Sequence, residues 1–105
     1  MKFYKHLYIG KSIKNPGMVK LKLRTNAGLF GIYVITLAEG ENQLEIYSAA
    51  LLKQKLHRKL WPPYIIGIAN GQEEAVGIVG QIAEECIKAT GNAMLKDYLL
   101  GPDKQ

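Results

Sequence analysis

Cysteine and histidine are scarce in this sequence. Cys86 is the only cysteine, and His6 and His57 are the only histidines. A single cysteine excludes an intrachain disulfide, and these residues together do not supply the ligands of a structural zinc site. The sequence therefore predicts neither a metal site nor a bound cofactor, and the low cysteine content is typical of a reducing compartment.

Long apolar stretches are also lacking. A helix that crosses a bilayer needs about 20 apolar residues in succession, and no part of the chain approaches that length. Near the start, Lys2, Lys5 and Lys11 interrupt the apolar residues too often for the core of a signal peptide. We therefore expect a cytoplasmic protein that has no membrane partner.

Acidic residues are missing from the first third of the chain. The formal net charge is +5, and the first acid is Glu39. The residues before it include a series of basic residues, namely Lys2, Lys5, Lys11, Lys14, Lys20, Lys22 and Arg24. A second basic cluster follows in the middle of the chain and consists of Lys53, Lys55, His57, Arg58 and Lys59. Clusters of this kind attract phosphate groups or acidic partners, although lysines also keep an ordinary exposed surface hydrated.

Nucleic acid is one partner that these clusters fit. The candidate contacts are Lys20, Lys22 and Arg24 in the first cluster and Lys53, Lys55, His57, Arg58 and Lys59 in the second. Trp61 and Tyr64 follow the second cluster, and basic residues flanked by aromatic ones suit phosphate contact and base stacking. The same composition is typical of a hydrated helix that leads into a core tryptophan, so both interpretations stay open.

The strongest structural pattern lies in residues 72–90, where apolar residues recur every three or four positions. This spacing predicts an amphipathic helix. Asn70 and Gly71 precede it as a turn and cap, and Gly91 is placed to end it. Residues 64–69 form a short β-rich run before that turn, which predicts a buried strand. The predicted buried side of the helix comprises Ala75, Val76, Ile78, Val79, Ile82, Ala83, Cys86 and Ile87.

Two further apolar runs predict a β-hairpin. Residues 29–37 are almost continuously β-branched, aromatic or aliphatic, and residues 43–47 alternate between apolar and polar side chains. Residues 39–42 supply turn chemistry between them. Because both faces of the first strand are apolar, we expect it to be central and the second strand to lie near an edge. A short basic helix is expected over residues 49–60.

The remaining segments are less decisive. Residues 15–28 alternate like a strand, yet the Asn15-Pro16 pair begins them like a helix, which is the interpretation that we favour. Residues 1–10 fit either an edge strand or an arm extended over the core. The apolar cluster in residues 95–100 is expected to dock as a helical turn.

Together these elements predict a single domain over residues 1–105 with an α+β fold. We expect a small, mostly antiparallel sheet of about three strands, including one hairpin, packed by two or three helices. The last of these helices is the long amphipathic one. Residues 101–105 are expected to form a frayed tail.

No recognisable catalytic or nucleotide-binding set emerges from these elements. Gly67, Gly71, Gly77 and Gly80 match neither the dinucleotide fingerprint nor the phosphate-binding loop. Cys86 lies on the predicted buried side of its helix, where a thiol acts as a small apolar group. The carboxylates near the hairpin turn lack the apolar pocket that acid-base chemistry requires. An enzyme is therefore the less favoured interpretation.

Gly77 and Gly80 lie inside the predicted helix, where each costs about 1 kcal/mol relative to alanine. One reason for their presence is close approach by another backbone, either the domain's own sheet or the same helix of a second copy. Simple tolerance of two weak helix formers is the alternative. These two residues are our candidate association surface.

Three functions remain compatible with the sequence. The first is a small accessory or interaction domain, whose partner is another protein or a second copy of itself in a homodimer. The second is a nucleic-acid-binding module that uses the two basic clusters. The third is a small enzyme or ligand-binding domain that works at the strand-turn-helix unit around Asn70.

Overall fold

The computed structural model describes residues 2–24, 31–37, 44–49, 64–91 and 95–99. In chain order these residues form β1 (Lys2–Ile9), α1 (Pro16–Arg24), β2 (Ile32–Leu37), β3 (Leu44–Ser48), β4 (Tyr64–Asn70), α2 (Gln72–Thr90) and α3 (Leu95–Leu99). The sheet has the order β1-β4-β2-β3. β1 runs parallel to β4, whereas β2 pairs antiparallel with both β4 and β3.

The predicted α+β fold is confirmed, with one strand more than expected. The extra strand is β1, which pairs along β4 at one edge of the sheet. The hairpin between β2 and β3 is present in antiparallel register, with β2 inside the sheet and β3 at the other edge. The long helix α2 follows β4 directly, as the sequence pattern predicts.

The ambiguous segment after β1 is a helix, because its first turn is capped by its own sequence. The Asn15 side chain accepts a hydrogen bond from the Met18 N–H at 3.1 Å, which satisfies one of the unpaired donors of the first turn. Pro16 occupies the first helical position, where its missing N–H has no cost. Val19 and Leu23, one turn apart, are the buried residues of α1.

Both faces of the sheet are covered by helices. Val34 and Ile35 are consecutive in β2, so their side chains point to opposite faces, and both are fully buried. Ile35 packs in a core with Ile82 of α2 and Leu99 of α3. Val34 packs in a second core with Val19 of α1. The described residues therefore form three layers, with α1 on one side of the sheet and α2 and α3 on the other.

The ends of α2 follow from glycine conformations that other residues rarely adopt. Gly71 is the N-cap with φ of 103°, and Gly91 ends the helix in the left-handed conformation with φ of 77°. The N–H of Gly91 donates a hydrogen bond to the carbonyl of Ile87 at 2.7 Å. These caps fix where α2 begins and ends relative to β4.

Several predictions of the sequence fall on other parts of the chain. The hairpin turn at residues 39–42, the tail at residues 101–105 and the basic helix beyond Ala49 lie outside the described residues. Ala49 itself is buried in the core beneath α1. The predicted helical turn near the C-terminus corresponds to α3, whose Leu99 is fully buried.

Candidate functional site

β1 and β4 are adjacent parallel strands, and the segments that follow them lead to opposite faces of the sheet. α1 follows β1 on one face, and α2 follows β4 on the other. Where two parallel strands diverge in this way, the crevice at their carboxyl ends is a common ligand site. In this protein that crevice lies between residues 10–15 and residues 70–72.

The side chain of Glu74 occupies this crevice. Its Oε1 accepts a hydrogen bond from the Asn70 N–H at 2.8 Å, and its Oε2 accepts one from the Ser12 N–H at 3.2 Å. The Asn70 N–H is the main cause that holds the pKa of the Glu74 carboxyl below its ordinary value. Partial burial opposes this lowering, and the Ser12 groups add to it.

An anionic ligand in this crevice would have to bind backbone N–H groups. In this protein the Glu74 carboxylate already accepts hydrogen bonds from those groups. The N–H groups of Ser12 and Asn70 both bind Glu74, and the N–H of Gly71 donates to the carbonyl of Gly31 at 2.6 Å. A phosphate in this position would have to displace a negative charge already seated there. The arrangement joins two loops and the first turn of α2 into one unit.

A second polar cluster joins the edge strand β1 to α2. The Tyr8 hydroxyl donates a hydrogen bond to Glu85 Oε1 at 2.6 Å, and Gln81 Nε2 donates to Glu85 Oε2 at 3.0 Å. Burial, followed by the bond to Glu85, raises the pKa of Tyr8, and the Tyr8 hydroxyl lowers the pKa of Glu85. A phenol that holds its proton this tightly is a donor rather than a base at neutral pH. The pair therefore anchors β1.

Tyrosine rings surround this anchor. Tyr4 is 5% exposed, and its ring lies parallel to that of Tyr8 with 6.3 Å between the ring centroids. Tyr64 meets Tyr4 edge-on, with 6.1 Å between centroids. Burial is the main cause that raises the pKa of both Tyr4 and Tyr64. These contacts make the rings part of the core beneath α2.

Two residues of the first basic cluster, Lys20 and Arg24, lie over Phe3 on the opposite face of the sheet. Lys20 Nζ lies 5.5 Å and Arg24 Cζ lies 5.0 Å from the centroid of the Phe3 ring. Both distances are within the range of a cation–π interaction. The structure thus brings Lys20 and Arg24 together, whereas Lys22 is exposed elsewhere on α1. The second cluster, Lys53, Lys55, His57, Arg58 and Lys59, lies outside the described residues.

The candidate association residues Gly77 and Gly80 are exposed on α2. A Cβ atom built at either position would meet no described atom within 4 Å. The α2 face that packs on the sheet instead carries Ala75, Ile78 and Ile82, together with Cys86. The prediction that these glycines admit the domain's own sheet is therefore wrong for the described structure, and the prediction of a second copy stays open.

The predicted buried side of α2 also includes residues that the structure shows to be exposed. Val76 is 55% exposed and Ile87 is 52% exposed, although both were expected to be buried. The reason is that the sheet contacts only a narrow seam of the helix, and these two residues lie away from it. Together with Gly80 and Ala83 they define what we call the outer stripe: Val76, Gly80, Ala83 and Ile87.

The spacing of the outer stripe is that of a helix-pairing seam. Its members follow one another at intervals of four, three and four residues, so they lie in one row along α2. Gly77 lies beside this row, and Ala83 is half-buried. This spacing is present in the sequence. It was not recognised there because the residues that face the sheet form a stronger apolar pattern on the same helix.

Neither a metal-ligand cluster nor a membrane-spanning helix is found in the described part of the chain. Within residues 2–24, 31–37, 44–49, 64–91 and 95–99, no three histidine, cysteine, aspartate or glutamate side chains are grouped as a metal site requires. None of the helices described is long and apolar enough to cross a membrane. No protein-family model matches the sequence, and no curated protein or solved structure is detectably similar to the chain.

Proposed function

We propose that this protein is a small interaction domain that self-associates through the outer stripe of α2. The observation that carries the proposal is the exposure of Val76 and Ile87, at 55% and 52%, on the longest helix described. Gly80 and the half-buried Ala83 lie between them, so the row presents no charged group along its length, and an uncharged apolar surface of this kind is one that another protein can cover. Gly77 and Gly80 beside them leave room for a second backbone.

The expected association is weak. Burial of a fully exposed valine or isoleucine side chain contributes roughly 1.5–3 kcal/mol, and Val76 and Ile87 gain about half of that because they start half-buried. Loss of translational and rotational freedom costs at least about 4 kcal/mol. When each copy buries both residues, the free energy gained by burial is comparable to the free energy lost with translational and rotational freedom. Because a dissociation constant of about 1 mM already requires about −4 kcal/mol, burial of these side chains alone does not suffice, and a dimer seen by sedimentation must also draw on further contacts along α2.

Sedimentation velocity over a concentration series tests this proposal. Wild-type protein should shift from monomer to dimer as its concentration rises, and Val76→Asp should remain monomeric because it places a charge in the stripe. Met18→Asp is the matched control, since Met18 is 46% exposed on α1 and lies on the opposite side of the sheet. Equal loss of dimer in both variants, or a monomeric wild type, would contradict the proposal.

A second candidate function is contact with nucleic acid through the face that carries α1. The specific observation is the convergence of Lys20 and Arg24 on Phe3, since a ring flanked by cations suits a nucleotide. No acid occurs among residues 2–24, whereas α2 carries four glutamates and one lysine. Apart from Glu45 of β3, which lies on the α1 face beside Tyr47, the acidic residues named here are on the α2 face, and a polyanion would approach the α1 face.

A salt series of binding to short single-stranded DNA and RNA tests this second candidate. If the cluster contacts phosphate, the double variant Lys20→Gln, Arg24→Gln should bind more weakly and with a salt slope shallower by about 1.4, since each phosphate contact to a single strand contributes about 0.7. Lys88→Gln on α2 is the control, because it removes a charge from the opposite face. Weak binding that is equal in wild type and both variants would exclude the cluster as the contact.

A further inference from the structure

The geometry points to an antiparallel arrangement for the self-association, in which α2 of one copy packs against α2 of a second copy about a two-fold axis. This inference rests on the proposed function and adds the orientation and the contacts. The outer stripe is symmetric about its own midpoint, which lies between Gln81 and Ile82 along the helix. A two-fold axis at that point places Val76 opposite Ile87 of the second copy.

The same axis places Gly80 opposite Ala83 of the second copy. The middle of the interface is then made only of small side chains, and the two larger side chains close it at each end. Small residues at a helix crossing let the backbones approach to the lower end of the usual interaxial distance of about 8–10 Å. Glycines weaken an isolated helix, and this arrangement explains why they nevertheless occur on the exposed side of α2.

Charge decides between the antiparallel and the parallel orientation. Glu73 lies at the first turn of α2 and Lys88 at its last turn, both away from the sheet. In the antiparallel pair, Glu73 of each copy lies beside Lys88 of the other, and the helix dipoles are opposed. In a parallel pair, Glu73 and Lys88 of the two copies lie at opposite ends of the interface and cannot pair, and the helix dipoles are aligned. Opposite charges and opposed dipoles therefore favour the antiparallel pair.

Lys88 remains available for this contact although it is already in an ion pair. Lys88 Nζ lies 3.0 Å from Glu84 Oε1, but the two side chains are 75% and 68% exposed. An exposed pair of this kind is weak, so the lysine can be shared with a carboxylate of the second copy at little cost.

Cross-linking between engineered cysteines tests the orientation. Val76→Cys and Ile87→Cys proteins, one carrying a size tag, are mixed and oxidised. Antiparallel pairing predicts a cross-linked product that contains one copy of each, and little product from either protein alone. Wild type is the control, because its own Cys86 is fully buried and should not react.

Each other outcome has a separate meaning. Cross-linking of the Val76→Cys protein with itself shows a parallel pair and overturns this inference, while the proposed self-association stands. A dimer in sedimentation without any cross-link shows that a different surface is used, which overturns the role of the stripe. A wild type that stays monomeric, with no cross-link, overturns both.

A charge exchange gives an independent readout of the same inference. Glu73→Lys alone and Lys88→Glu alone should each weaken dimerisation by about 2- to 30-fold, because the two-fold axis makes each substitution remove two exposed ion pairs. The double variant should recover the wild-type dissociation constant, because the pair is restored with its signs reversed. Additive weakening in the double variant would contradict contact between these two residues.

Discussion

Gly10 and the Glu74 carboxylate are in direct contact at the crevice between β1 and β4. A Cβ atom at position 10 would overlap Glu74 Oε1 and Cδ, so this position accepts only glycine while Glu74 keeps its place. The side chain of Glu74 can move away, but it would then lose its bonds to the N–H groups of Ser12 and Asn70. The absence of a side chain at Gly10 thus permits the contact that joins the β1–α1 loop to α2.

Gly10→Ala should therefore destabilise the protein by about 1–2 kcal/mol, because it breaks hydrogen bonds to a charged group. In a Glu74→Ala background the same change should be nearly neutral, since the overlapping atoms are gone. Urea unfolding of the four proteins measures this coupling. Gly77→Ala is the control and should stabilise α2 by about 0.5–1 kcal/mol, because its Cβ enters open space. An equal cost of Gly10→Ala in both backgrounds would show that Glu74 is not the obstacle.

Tyr8→Phe should cost about 1–2 kcal/mol of unfolding free energy. It removes a part-buried hydrogen bond of 2.6 Å to a carboxylate and leaves the ring in place. The pKa of Glu85 should rise in the variant, because the Tyr8 hydroxyl is the main cause of its lowering. Urea unfolding and a carboxyl titration by NMR measure the two effects. Tyr33→Phe is the control, as a half-buried tyrosine on the same face, and should leave the Glu85 titration unchanged.

Stability should fall as the solution is acidified. The folded state lowers the pKa of both Glu74 and Glu85, so it binds protons less readily than the unfolded chain. Their stabilising contribution is present above the unfolded pKa of about 4.5 and is lost as the pH falls through the lower folded values. The urea midpoint between about pH 6 and pH 3 measures the loss. Glu74→Gln should flatten this dependence more than Glu73→Gln does; the reverse order would contradict the assignment.

Ile82→Asp should abolish cooperative unfolding. Ile82 is fully buried between α2 and the sheet, and a carboxylate there has no described partner. Val76→Asp, on the exposed side of the same helix, should leave the thermal transition close to that of the wild-type monomer. Circular dichroism on heating distinguishes the two variants. A soluble Ile82→Asp protein with a cooperative transition would contradict the assigned buried face.

The local elements of the fold could be predicted from the sequence because their signals are local. The caps at Asn15 and Gly91 and the apolar spacing of α2 are readable within a few residues of the element that they define. The position of β1 could not be predicted in the same way. Its pairing with β4 joins Phe3 to Ile65, which are far apart in the chain, and the register shifts before Tyr8.

The candidate site was only partly predictable for the same physical reason. Glu74 carries an ordinary helix-start signal, and nothing nearby indicates that its carboxylate meets the N–H of Ser12, a residue 62 positions earlier. Val76 and Ile87 carry an apolar signal, but the sequence does not state how wide a strip of α2 the sheet covers. Burial depends on the neighbouring layer, so exposure of these residues required the structure.

A dilution series of backbone amide NMR spectra tests directly whether the protein self-associates through the outer stripe. If the outer stripe is the association surface, the amide shifts of Val76, Gly80, Ala83 and Ile87 should change together with concentration and yield one dissociation constant. The amides of α1 should stay constant over the same range. Spectra that do not change with concentration, or changes confined to β1 or α1, would show that the outer stripe does not mediate self-association.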